Sequence, residues 1–184
     1  GLQGLPLVAY DRDVCRVGGL RALNHVGSDE DLHSTDVVRC FNLDTREWRK
    51  LPPLPQARSS HDAVVFEDRL YVVGGWNLRG ADQSAVWQDE LAYLDLRKDG
   101  ASWQTVAQPF QRRALAVAAA AGKVYAFGGL GEGGTSRGTE IYNISTGEWS
   151  KGEDIPPMGD GLKGFGVSAF GVGSRIYIAG GDGV

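Results

Sequence analysis

Along this chain the apolar residues fall into short runs that alternate with polar ones and stop at glycine. The same kind of run returns four times, as Val14-Cys15-Arg16-Val17-Gly18-Gly19, Leu70-Tyr71-Val72-Val73-Gly74-Gly75, Val124-Tyr125-Ala126-Phe127-Gly128-Gly129 and Ile176-Tyr177-Ile178-Ala179-Gly180-Gly181. Short β-branched and aromatic runs bounded by turn residues are the signature of strands. The Gly-Gly pairs stand 56, 54 and 52 residues apart, so the chain repeats one unit. Each unit holds four strand-length runs and no helical stretch of convincing length; in the third they cover 114–120, 123–127, 139–143 and 148–151.

Two further recurrences sit between the glycine pairs. An aromatic residue precedes a tryptophan by 7, 10 and 7 residues, in Phe41 to Trp48, Tyr93 to Trp103 and Tyr142 to Trp149. An arginine stands sixteen residues before the Gly-Gly pair at Arg58 and Arg112, with Lys163 one residue off register in the last copy. Four short strands in about fifty residues predict one blade of a β-propeller, and this spacing with Gly-Gly and an aromatic-to-Trp pair resembles the kelch repeat over nearly the whole chain. The Trp-Asp and Gly-His signatures of the WD40 propeller do not occur.

The resemblance implies an all-β propeller of four-stranded antiparallel blades. Blades are expected at 5–51, 58–107 and 112–152, with a half blade at 163–184, a partial ring whose remaining blades belong to a longer parent chain. Gly18, Gly19, Gly74, Gly75, Gly128, Gly129, Gly180 and Gly181 are expected as architecture, since a strand end that crowds its neighbour has no room for Cβ. The resemblance also implies packing of Tyr93 with Trp103 and of Tyr142 with Trp149, with Phe41 and Trp48 as a variant of the same pair. Cys15 stands where the other copies have Tyr71, Tyr125 and Tyr177.

Composition supports a folded, turn-rich chain: 27 glycines, one methionine and only 7 prolines in 184 residues. With 19 basic and 23 acidic side chains the net charge is −4, which offers no general field for nucleic acid or an acidic membrane. The basic residues are 14 Arg to 5 Lys, which suits recognition of carboxylates by planar guanidinium groups. Cys15 and Cys40 are too few for a disulfide scaffold and are expected as buried small hydrophobes. No apolar stretch is long enough to span a bilayer and the N-terminus lacks the order of a signal peptide, so a soluble, cytoplasmic chain is expected. The acceptor triplet Asn143-Ile144-Ser145 alone assigns no compartment.

Strand direction separates two faces. Loops joining the first strand of a blade to the second, and the third to the fourth, are tight turns such as Asp11-Arg12-Asp13 and Asp44-Thr45-Arg46. Loops joining the second to the third are long (20–35, 76–88 and 130–138) and share a face with the segments leading into each new blade. Long loops on a rigid scaffold are where recognition concentrates. The expected binding residues there are Trp76, Asn77, Arg79, Arg58, Arg112, Arg113, Arg21 and His25, with bridging between blades as the competing role of Arg58 and Arg112.

Enzyme motifs match only literally. Gly129-Leu130-Gly131-Glu132-Gly133-Gly134 has the spacing of a dinucleotide loop but leads into a strand where that loop needs a helix. Gly134-Thr135-Ser136-Arg137-Gly138 has the form of a nucleophile elbow, yet all three histidines precede Ser136. Ser60-His61-Asp62 are neighbours on one strand and face opposite ways. The stretch Asp29-Glu30-Asp31-Leu32-His33 with Asp36 shows no fixed ligand spacing and is expected as a solvated loop. No cofactor or metal is expected. The leading expectation is a non-enzymatic module that holds a protein or an acidic peptide, as an adaptor. The alternative implied by the resemblance is part of a carbohydrate-acting kelch enzyme, of the sialic acid mutarotase or galactose oxidase type, completed by other blades.

Overall fold

The computed structural model of the chain describes residues 1–157 and 162–182, and every helix or strand among them is a β-strand. The first repeat forms β1 (Leu7–Tyr10), β2 (Asp13–Val17), a ribbon of β3 (Leu20–Ala22) with β4 (Leu32–Ser34), then β5 (Val38–Asn42) and β6 (Trp48–Lys50). The second forms β7 (Asp62–Phe66), β8 (Arg69–Val73), a ribbon of β9 (Trp76–Asn77) with β10 (Val86–Trp87), then β11 (Glu90–Asp95) and β12 (Gln104–Ala107). The third forms β13 (Ala116–Ala120), β14 (Lys123–Phe127), a ribbon of β15 (Leu130–Gly131) with β16 (Gly134–Thr135), then β17 (Thr139–Asn143) and β18 (Glu148–Lys151). The pair β19 (Leu162–Val172) and β20 (Arg175–Asp182) closes the described chain.

Three four-stranded antiparallel sheets follow, β1-β2-β5-β6, β7-β8-β11-β12 and β13-β14-β17-β18, beside the two-stranded β19-β20. Their first strands line up, β1 against β7, β7 against β13 and β13 against β19, so the sheets are blades around an axial groove and form an open, partial propeller. The ribbons were not anticipated from the sequence, where 20–35, 76–88 and 130–138 read as loops; each starts at the residue after a Gly-Gly pair.

The core is sandwiched between blades rather than enclosed within one. Val17, Val38 and Leu54 of the first blade meet Ala63, Leu70 and Val72 of the second. Tyr71, Val73 and Leu91 on the other face of the second blade meet Leu115, Val117 and Val124 of the third, and Ala116, Ala118 and Phe127 meet Val167 of β19. Alternation along β8 and β14 therefore divides residues between two interfaces.

Two expectations are corrected here. Cys15 and Cys40 are buried, at 1% and 0% exposure, but they are not separate thiols: they face each other across β2 and β5 and form a disulfide. Their pairing depends on the register of β2 on β5, which the length of the intervening loop hides from the sequence. The second correction concerns Tyr93 and Trp103. Phe41 lies opposite Trp48 and Tyr142 opposite Trp149, each pair with ring centroids 5.3 Å apart. Tyr93 instead lies opposite Gln104 and packs on Tyr71 at 5.8 Å. The longer gap before Trp103 carries it past that register, and its Nε1 donates to Pro52 O of the first blade at 3.0 Å.

Candidate functional site

The segment leading into each blade is held by the glycines of the preceding blade. Gly19 N–H donates to Arg58 O at 3.0 Å, Gly75 N–H to Arg112 O at 2.8 Å and Gly129 N–H to Gly164 O at 2.8 Å. The first glycine of each pair makes this contact possible. A Cβ on Gly18 would lie 2.6 Å from Arg58 O and one on Gly74 2.6 Å from Arg112 O, and both glycines have positive φ. Gly164 occupies the third equivalent position, and the side chain of Lys163 beside it lies outside the described residues.

The arginines at this junction turn inward. Arg58 is 1% exposed and its Nη1 donates to Gly74 O at 3.4 Å and Glu90 O at 3.2 Å, the carbonyls facing each other where β8 meets β11. Arg112 is 6% exposed; it donates to Gly138 O at 2.9 Å and Ser136 Oγ at 3.1 Å and forms an ion pair with Glu140. Burial pushes both guanidinium groups down to about 10, with Glu90 and Asp89 pulling Arg58 back up and Asp154 pulling Arg112 back up, so both stay charged at neutral pH. Each arginine thus joins the preceding blade through its carbonyl and its own blade through its side chain. A group so enclosed has no free fork for an outside carboxylate, which moves Arg58 and Arg112 from the expected rim into the scaffold.

Of the other expected residues Arg21, His25 and Arg79 are exposed, and Trp76, Asn77 and Arg113 are half-buried. Arg113 spreads its guanidinium over the Trp76 ring, 4.1 Å from the centroid, and Trp76 packs on Trp87 at 5.4 Å across the β9–β10 ribbon. Cation-π stacking fixes the fork in place without neutralising it. Among the described residues Arg113 meets no carboxylate in an ion pair, and Trp76 Nε1 is buried without a hydrogen-bond partner. Asn77 lies beside this pair, opposite Val86. Arg79 is exposed and donates twice to Ser84 O, at 3.2 and 2.8 Å, which orders the tip of its ribbon.

The first two ribbons are joined edge to edge. Ser34 N–H donates to Leu78 O at 2.8 Å and Gly80 N–H to Leu32 O at 3.0 Å, so Arg21, His33 and Arg79 form a row across β3, β4 and the segment after β9. His33 Nε2 lies 2.7 Å from Asp31 Oδ1. His25 is exposed at the tip of the first ribbon, and its carbonyl accepts the Ser28 N–H. Trp87 was missed in the sequence, and His33 was expected only in a solvated acidic loop; the structure places it half-buried on β4, and both become neighbours of expected residues once the ribbons pair their segments. Among the described residues no group of three or more His, Cys, Asp or Glu side chains could hold a metal ion, and no helix is long and apolar enough to cross a membrane.

Ser60 and His61 lead into β7, the innermost strand of the second blade, which Asp62 begins. Burial, and the charge of Arg58, hold the His61 imidazole well below its usual range, so it is neutral at physiological pH. Burial pushes the Asp62 carboxyl up to about 6, although Val117 N–H and Ala63 N–H donate to it at 2.7 and 2.9 Å and favour the ionised form.

Comparison with known proteins agrees with the propeller fold. Residues 4–183 match the description of the KLHDC2/KLHL20/DRC7 Kelch-repeats domain. Human Kelch repeat and BTB domain-containing protein 13 is 34% identical over 143 residues, 75% of this chain and 30% of that protein. Human Kelch repeat and BTB domain-containing protein 12 is 27% identical over 158 residues, 80% of this chain and 25% of that protein, and mouse Kelch-like protein 40 is 27% identical over 83% of this chain and 24% of that protein. The chain therefore spans about a quarter of the length of these curated relatives. The solved structure of YjhT superposes with a TM-score of 0.75 at 18% identity, over 99% of this chain and 60% of that one, a likeness of fold.

Proposed function

The chain belongs to the kelch-repeat family, and on that premise we propose that it is a non-enzymatic interaction module that holds a protein or an acidic peptide on the face bearing the ribbons, as an adaptor. The observation that carries the reading is Arg113 stacked on Trp76 with its charge unmatched by any carboxylate among the described residues. A guanidinium held in position beside an aromatic face offers both halves of an interaction hot spot, a specific fork for a carboxylate and a flat apolar contact. Arg79, Asn77, Arg21 and His25 extend the same face. Arg58 and Arg112 support it from beneath by fixing the junctions between blades. Their loss would act through the fold.

Selection from a displayed peptide library tests the reading. The wild-type chain is expected to enrich peptides that carry Asp or Glu beside an apolar residue, and the Arg113→Ala and Trp76→Ala variants are expected to lose that enrichment while keeping the β-sheet circular dichroism. Equal enrichment by the wild type and both variants would sink the assignment. Turnover of a sugar acid by the chain would favour the carbohydrate-acting reading instead.

A further inference from the structure

The first strands of the blades line the axial groove, which holds a cavity that the recognition face does not use. It has a volume of about 640 Å³ and is lined by β1, β7, β13 and β19 through apolar side chains such as Leu7, Val64, Val117 and Ala169. At one end it meets a second cavity of about 450 Å³ at the mouth, beside Ser60, His61 and Ser168, and Asp62 lines both. We propose that Asp62 anchors a cation site in this channel, which takes an alkylammonium group with its carbon chain lying along the apolar wall.

The case rests on what surrounds the carboxylate. Among the described residues no Lys or Arg lines either cavity, and the other ionisable group there, His61, is held neutral by burial. Asp62 Oδ2 accepts the Val117 N–H and Oδ1 the Ala63 N–H, one donor for each oxygen. A carboxylate has about four acceptor positions, so each oxygen retains a lone pair. A desolvated negative charge with spare acceptors and no counter-ion gains from an entering cation, and the long apolar wall beside it favours an alkyl tail over a hydrated metal ion. The carboxyl titrates at about 6, so the site is charged at neutral pH and is lost below that. The group could arrive on a free amine or on a lysine side chain of a bound peptide; the chemistry at Asp62 is the same.

Nuclear magnetic resonance of the carboxyl carbons in the 184-residue chain tests this. n-Butylammonium and the blocked peptide acetyl-Gly-Lys-Gly-amide are titrated in separate arms, with n-butanol at matched ionic strength as the uncharged control. Expected is a saturable shift of the Asp62 resonance by one or both cations, an affinity at least tenfold weaker at pH 5 than at pH 7.5, and no saturable shift in Asp62→Asn. A response to the amine alone assigns a small ligand, and a response to the peptide assigns a lysine side chain. Because the pH dependence is read in the wild type, a misfolded Asp62→Asn chain does not remove the test. Absence of saturation by either cation, the same affinity at both pH values, or n-butanol binding as well as n-butylammonium would overturn the proposal. So would a Lys163→Met variant whose Asp62 carboxyl alone titrates differently from the wild type, since the cation would then be the chain's own.

Discussion

The Gly75 N–H donates to the Arg112 carbonyl at 2.8 Å, a single hydrogen bond by which the second blade holds the start of the third. The Arg112 guanidinium meanwhile donates to Gly138 O and pairs with Glu140 inside the third blade. Backbone and side chain of one residue thus serve two blades. Arg58 repeats the arrangement one blade earlier, between Gly19 and the carbonyls of Gly74 and Glu90.

Arg112→Ala is therefore expected to lower stability by ~3 kcal/mol, since it leaves Glu140, only 13% exposed, as an unpaired and largely desolvated carboxylate. Arg112→Lys should recover only part, because one ammonium cannot reproduce the fork. Urea unfolding followed by circular dichroism reads both values. A loss under about 0.5 kcal/mol for the alanine variant, the ordinary range of a surface change, would contradict the scaffold role.

Gly4, Ser60, Ala114 and Gly166 occupy one repeat position at the mouth of the channel, and all have left-handed backbones, with φ of 57, 53, 50 and 69°. Ser60 N–H donates to Gly4 O and Ala114 N–H to Ser60 O, both at 2.7 Å, which binds consecutive blades around the mouth. An alanine in this region carries a Cβ penalty of roughly 1–2 kcal/mol. Ala114→Gly should consequently raise stability by ~1 kcal/mol, opposite to the usual effect of glycine in a folded chain. A fall in the urea midpoint would show that the turn carries no such strain.

Asp62 gives stability a pH dependence of definite sign. Its carboxyl moves from an ordinary 3.8 to about 6 on folding, so the folded chain binds the proton more tightly. That contribution is complete below about pH 4 and disappears as pH rises through about 6, amounting to ~3 kcal/mol between the limits. Comparing denaturation of wild type and Asp62→Asn from pH 4 to 7.5 isolates it. The wild type should lose more stability than the variant as pH rises, and parallel profiles would refute the assignment.

The Cys15–Cys40 disulfide closes a loop over a sequence separation of 25 at the interface of the first two blades. Loop-closure entropy places its contribution at about 3 kcal/mol. The native chain should show no titratable thiol until it is unfolded with a dithiol reductant, and the Cys15→Ser, Cys40→Ser double variant should unfold at clearly lower urea. Two thiols titrated in unfolded chain never exposed to reductant would contradict the pairing.

What could be read from the sequence was what repeats. The glycine pairs, the Trp149 and Trp48 partners and the strand runs of the third blade recur at fixed spacing, and such periodicity reports architecture directly. What escaped was set by register and by loop length. Cys15 meets Cys40 because of the way β5 returns on β2, and Trp103 misses Tyr93 because its connection is longer. The site divided in the same way. Arg58 and Arg112 recur because they are structural, whereas Trp76 and Arg79 belong to one copy only and remain at the surface. Trp87 gave no signal and His33 stood out only as part of an acidic stretch, since only the pairing of the ribbons brings them beside these residues.

The most direct test of the recognition face is isothermal titration of a library-selected acidic peptide into the wild type, Arg113→Ala and Lys98→Ala, the last in the exposed connection between β11 and β12 on the opposite face. Loss of a hot-spot arginine costs about 2 kcal/mol, so Arg113→Ala should bind roughly thirtyfold more weakly while Lys98→Ala binds as the wild type does. Unchanged affinity in Arg113→Ala, with a loss in Lys98→Ala, would place recognition on the other side of the propeller.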